Sequence, residues 1–191
     1  ICLEELPKDS TQFTRWTCCG NGMHNHCEKD LDSMNMGHTC PLCRAKRPTS
    51  AVETVKYLRP WVKKKKAWAQ TLLGQKYRDG RGVKQSYEMA KMLYEQAAQQ
   101  GYTSAMNQLG AMYSTGEGGE QSYERAVEYY EQAADLGFAN AQYNLGVMYY
   151  KGSGVETDLS KAKEWWTKAA AQGDEDATKA LKVIHALMDE K

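Results

Sequence analysis

Beyond residue 67 the apolar positions fall at helical spacing, and the whole pattern returns every 36 residues. Ala69, Leu73 and Tyr77 stand at i, i+4 and i+8, one apolar stripe of a first helix. A second stripe carries Ala90, Tyr94, Ala97 and Ala98. The step recurs in Gly74, Gly110 and Gly146, and in Ala69, Ala105, Ala141 and Ala177. Gly80, Gly116 and Gly152 keep it, as do Ala90, Ala126 and Ala162. A single period across so many columns identifies a repeat protein of helix pairs.

The punctuation fits that reading. Gly80 and Gly101 close the two helices of the first repeat, since glycine adopts the left-handed conformation freely. Ser86, Ser122 and Asp158 open the second helices, offering side-chain oxygens to first-turn N–H groups. The small residues predict close helix packing, with Leu73, Tyr77, Tyr94 and Trp166 filling the space between. Residues 175–189 repeat only a first helix, with Lys182 where Gly146 stands, as expected of a terminal cap. Gly119 replaces the Val83 and Val155 of the other turns, which predicts a looser second turn.

The string A-x-x-x-L-G-x-x-Y-x-x-G-x-G-V, then A-x-x-x-Y/W-x-x-A-A-x-x-G, resembles Sel-one-like repeats over residues 67–189. That resemblance implies an all-α right-handed solenoid of helix-turn-helix repeats, with an architecture similar to the tetratricopeptide class. It also implies a scaffold that binds a peptide or protein ligand along a concave face. Recurring residues read as core and turn, so binding would use varying columns. Two stand out: Thr71, Asn107 and Tyr143, and Arg78, Ser114 and Tyr150.

The first 48 residues are built differently. All six cysteines lie at or before Cys43, and large apolar residues are few. So short a segment needs a staple. Cys40-Pro-Leu-Cys43 is a C-x-x-C knuckle, and Cys18-Cys19 is followed closely by His24, His26 and Cys27. Thiolate and imidazole pairs at such spacings suit tetrahedral zinc. A disulfide framework would leave the histidines without a role and would have to bridge adjacent cysteines. Structural zinc contributes about 10–16 kcal/mol in small domains, against roughly 3–5 kcal/mol from a core of this size.

The order Cys2, Cys18-Cys19, His24-x-x-Cys27, Cys40-Pro-Leu-Cys43-Arg44 resembles a RING-type zinc finger. The resemblance implies a small zinc-bound ββα module with four interleaved ligand pairs on two zinc ions. One ion would take Cys2, His24, Cys27 and a cysteine preceding Ile1, so the chain reads as a fragment that begins inside the finger. The other would take Cys18, Cys19, Cys40 and Cys43. Asn21 stands where that family has a histidine, which leaves His26 as an alternative ligand and Cys18 spare. His38 reads as a surface residue. The same resemblance implies a ubiquitin ligase that does no covalent chemistry itself. Ile1, Pro41 and Leu42 would form an apolar contact for a ubiquitin-conjugating enzyme, and Arg44 would hold the loaded ubiquitin. No residue among Leu31, Met34 and Met36 supplies the tryptophan often found in that contact groove.

Between the halves, Ser50-Ala-Val-Glu53 is a capping-box signature that starts a short helix with Val52, Val55 and Leu58 on one side. Pro60 is expected to end or kink it. Lys63 to Lys66 follow, so residues 49–66 read as a helical basic linker. Residues 1–66 carry twelve basic against seven acidic residues, residues 67–191 thirteen against seventeen. The near-neutral total of +1 therefore hides a basic and an acidic half. Four lysines without an aromatic platform would bind nucleic acid only weakly, which disfavours that class. No run reaches the eighteen apolar residues of a membrane helix, and no signal-type segment opens the chain. The expected location is intracellular, cytoplasmic or nuclear.

The expected organisation is a RING-type finger over 1–48, a linker over 49–66 and repeats over 67–102, 103–138 and 139–174. A capping helix over 175–191 completes it. The leading functional expectation is a ubiquitin ligase whose repeats select a substrate or partner. The alternative is a non-catalytic, zinc-stabilised adaptor.

Overall fold

The computed structural model describes the backbone of residues 13–15 and 22–24, and the chain from 48 to 189, with side chains to 186. The two short segments are strands, β1 (Phe13–Arg15) and β2 (Gly22–His24), paired antiparallel with Phe13 opposite His24. Eight α-helices follow among the described residues. They are α1 (Ala51–Lys63), α2 (Ala67–Asp79), α3 (Tyr87–Ala98), α4 (Thr103–Thr115), α5 (Tyr123–Asp135), α6 (Ala139–Lys151), α7 (Leu159–Ala171) and α8 (Glu175–Asp189). The chain divides into two compact units, Ile1–Ala90 and Lys91–Lys191. In the first, α1 packs on α2; in the second, each helix from α4 to α8 packs on the next.

Local chemistry sets the ends of these helices. First helices α2, α4 and α6 stop on Gly80, Gly116 and Gly152, whose φ angles are 67, 76 and 67°. In each, the glycine N–H donates to the carbonyl four residues back, the bond of a left-handed cap. Ser86, Ser122 and Asp158 accept from the N–H of Met89, Arg125 and Lys161. The N–H of the same three residues donates to Tyr77, Tyr113 and Tyr149 carbonyls at 3.0 Å, closing each helix pair. Gln85 and Gln121 brace two of the turns, their side-chain amides donating to the carbonyls of Arg78 and Ser114 at 2.8 and 2.7 Å.

The core is made of small residues and large rings. Ala69, Ala105, Ala141, Ala90, Ala126 and Ala162 are fully buried, as are Leu109 and Leu145. An ideal Cβ added at Gly146 would lie 2.5 Å from the Trp166 ring, and one at Gly110 2.6 Å from the Tyr130 ring. Glycine therefore lets an aromatic of the second helix approach the first closely. Trp166 is fixed there by its indole N–H, which donates to the Tyr143 carbonyl at 3.1 Å.

Three expectations need correction. Pro60 neither ends nor interrupts α1, which runs on to Lys63. The proline lies in the last turn, so it forfeits one donor there, and its carbonyl accepts from Lys64 N–H at 3.2 Å. The recurring tyrosines are not uniform core: Tyr113 is buried, while Tyr77 and Tyr149 are half-exposed at the helix ends. In α8 the fully buried apolar residues are Ala177 and Ile184, whereas Leu181 is half-buried; both join Ala162, Trp166 and Ala169 in one cluster. Lys182, at the glycine column, is exposed.

Gly146→Ala is expected to lower stability by about 1–3 kcal/mol through overpacking against Trp166. Gly119→Ala meets nothing within 4 Å and has no positive φ, so it should add roughly 0.4–1 kcal/mol by restricting the unfolded chain. Urea midpoints of the two variants should therefore move in opposite directions.

Candidate functional site

The residues implied as zinc ligands and enzyme contacts fall mainly outside the described residues. Ile1, Cys2, Cys18, Cys19, Cys27, Cys40, Pro41, Leu42, Cys43 and Arg44 all lie there. His24 is the last residue of β2, where its backbone pairs with Phe13. Among the described residues no three His, Cys, Asp or Glu side chains converge as a metal site. No described helix is long and apolar enough to cross a membrane. His185 is exposed on α8, and Lys63 to Lys66 are exposed at and just beyond the end of α1, with the Lys64 ammonium 4.8 Å from the Trp61 ring centre.

The two variable columns separate into packing and surface. Thr71 is buried, its hydroxyl donating to the Ala67 carbonyl at 2.9 Å. Asn107 is buried too, and its side-chain carbonyl accepts from the Asn144 amide at 2.9 Å, tying α6 to α4. Tyr143 is half-buried against the Trp166 cluster. That column is therefore structural. In the other, Arg78 pairs with Asp79 at 3.2 Å and Tyr150 packs on Trp166 with ring centres 5.6 Å apart. Ser114 lines an open cleft.

That cleft, of about 300 Å³, lies among α4, α5 and α6 in the second unit. Val147 and Met148 supply its apolar lining, and Ser114, Asn144, Lys151 and Ser153 its polar groups. Tyr123 and Tyr130 form the α5 side. Burial pushes the Tyr130 phenol up, opposed by its hydrogen bond with Ser114, so the ring presents a neutral hydroxyl at neutral pH. Asn144 is held in place by Asn107, which lowers the entropy a ligand contact would cost. Lys151 is the one charged residue in the lining.

A second cleft of about 330 Å³ has acidic residues in its lining. It is lined by Glu95, Glu128 and Tyr129, with Gln99 and Gln132 beside them. Tyr129 stacks on Tyr113 with ring centres 5.6 Å apart, and Lys91 and Arg125 lie over the Tyr113 ring at 4.5 and 5.4 Å. Burial pushes the Tyr129 phenol up, and the Tyr113 and Glu95 charges add to that. The Arg125 cation opposes the upward push on Tyr129, so it stands close enough to offset part of the two carboxylates' charge. Apart from Ser114, the sequence columns did not signal either cleft, because each is lined from non-equivalent positions of neighbouring helices.

Comparison with known proteins places the helix pairs in a family. The Sel1 repeat family matches residues 69–102, 103–138 and 139–174, more than half of the chain. A Sel1 repeat protein from Oxalobacter formigenes is similar, with 26% identity and a TM-score of 0.65 over 83% of this chain and 57% of that one. So is c5321, a protective antigen of uropathogenic Escherichia coli with an SLR fold. It shares 29% identity and a TM-score of 0.69 over 84% of this chain and 32% of that one. The chain thus spans about half and a third of the lengths of these two proteins. Helicobacter pylori cysteine rich protein B, at 22% identity and TM-score 0.55 over 66% of this chain and 96% of its own, shares the fold. No curated protein matches the chain. With three tandem matches and the helix pairs that carry them, the chain belongs to the Sel1 repeat family.

Proposed function

We propose that this chain is a protein-interaction scaffold whose repeats hold a peptide or protein segment, with the α4–α5–α6 cleft as one contact point. The observation that carries this reading is that cleft: an apolar lining, fixed polar groups and one cation in a repeat family fold. An acidic side chain of an extended segment suits it, its carboxylate facing Lys151 and its neighbours meeting Val147 and Met148. Nothing in the cleft resembles a nucleophile paired with a base, so a binding role fits its chemistry better than a catalytic one.

The test is a peptide array of acidic and charge-neutral sequences, with hits titrated against the full chain by calorimetry. Acidic hits should bind and lose at least about tenfold in affinity, 1.4 kcal/mol, with Lys151→Glu. Val147→Asp should weaken acidic and neutral hits alike. If no peptide binds, or if Lys151→Glu leaves affinity unchanged, the cleft is not the site.

For residues 1–48 the proposal is zinc binding, supported by the spacing of Cys40, Cys43, His24 and Cys27 in the sequence. Native mass spectrometry of the reduced full chain should count at least one zinc, and the Cys40→Ser, Cys43→Ser double variant should hold fewer. Zinc-free protein after reconstitution would end the proposal. The ligase reading of Ile1, Pro41, Leu42 and Arg44 depends on that result and on chain formation with a conjugating enzyme.

A further inference from the structure

We infer that residues 50–66 are the second half of a fourth, degenerate repeat, so that the array begins at Ser50 and not near Ala69. Subtracting 36 from the second-helix columns places Ser50 under Ser86, Thr54 under Ala90, Leu58 under Tyr94, Trp61 under Ala97 and Lys65 under Gly101. Only the capping serine survives as a letter, which is why a sequence pattern passes over the segment. Three physical roles survive: the helix cap, the buried large residue and the left-handed turn.

Ser50 caps α1 as the equivalent residues cap α3, α5 and α7, its hydroxyl accepting from Glu53 N–H at 3.2 Å. Leu58 is fully buried, as are or nearly are Tyr94, Tyr130 and Trp166 in its column. Lys65 is the one non-glycine with positive φ among the described residues, at 54°, and it stands in the column of Gly101, Gly137 and Gly173. A lysine is held in the left-handed region only where surroundings enforce it. The bonds that enforce it are those of the other repeat junctions. Lys65 N–H donates to Val62 at 2.8 Å, as Gly101 does to Ala98 at 2.8 Å and Gly137 to Ala134 at 2.9 Å. Lys66 N–H donates to Trp61 at 3.1 Å, as Tyr102 does to Ala97 at 3.2 Å and Phe138 to Ala133 at 3.0 Å.

Packing gives an independent argument. The turn glycine Gly154 presses on the backbone of Tyr123, the first residue of α5, so closely that a Cβ could not fit. Gly82 presses in the same way on Ala51, the first residue of α1, where an added Cβ would lie 2.5 Å from backbone atoms. Repeat one thus receives α1 as repeat three receives the second helix of repeat two. Lys64 to Lys66 become an inter-repeat turn.

Amide hydrogen exchange on the full chain separates an array helix from a linker helix. Residues 55–63 should exchange within about tenfold of residues 70–78. Gly82→Ala should speed both segments together, and Leu58→Ala offers the same readout if that variant folds poorly. Lys65→Gly should slow exchange in both by about fivefold, through relief of left-handed strain. If residues 55–63 exchange a hundredfold faster than 70–78, or if the variants leave either segment unchanged, α1 is a separate helix and the inference fails.

Discussion

The contact on which the helix pairs depend is an aromatic ring lying against a glycine. Tyr130 on Gly110 and Trp166 on Gly146 bring two helix backbones closer than any side chain would permit. A ring in such close contact buries most of its area, so dispersion and water exclusion both act on it. The fully buried alanines on either side are a consequence, because backbones this close leave room for little more than a methyl group. The geometry tolerates a change of ring from tyrosine to tryptophan, but not a Cβ on the opposing helix.

The turns work under a related constraint. Gly154 meets the start of a preceding second helix, so the backbone of one repeat is shaped by the backbone of another. Such contacts depend little on side-chain identity. Repeat geometry can therefore outlast its sequence signature, and residues 50–66 illustrate this: Thr54, Trp61 and Lys65 replace two alanines and a glycine while the junction hydrogen bonds persist. The outer surfaces carry no such constraint. Ser114 and Lys151 could diverge to line one cleft, and Glu95 and Glu128 another, without disturbing the pairs beneath.

Much of this was readable from residues alone, and the failures have specific causes. The helix caps at Ser122 and Asp158 were legible because a cap depends on its own turn. The burial of Asn107 was not, since its partner Asn144 is 37 residues away. Gln85 and Gln121 brace turns by reaching seven residues back, a spacing that helical periodicity does not mark. Pro60 was misjudged because its cost depends on where the helix ends, and α1 ends three residues later. In the first 48 residues the cysteine and histidine spacing speaks for zinc chemistry, and of those ligands only the His24 backbone lies among the described residues.

The sequence by itself determined the 36-residue step, the helix pairs, their caps and the all-α repeat class, because each is encoded by local propensity repeated in register. Tertiary structure decided which variable residues are buried in packing and which line a cleft. Thr71 and Asn107 are spent on packing, whereas Ser114 and Lys151 face an open cleft. It also decided that Lys65 takes a glycine's conformation and that α1 packs as a repeat helix does. These outcomes come from contacts between residues distant in the chain, and no local pattern of letters can specify them.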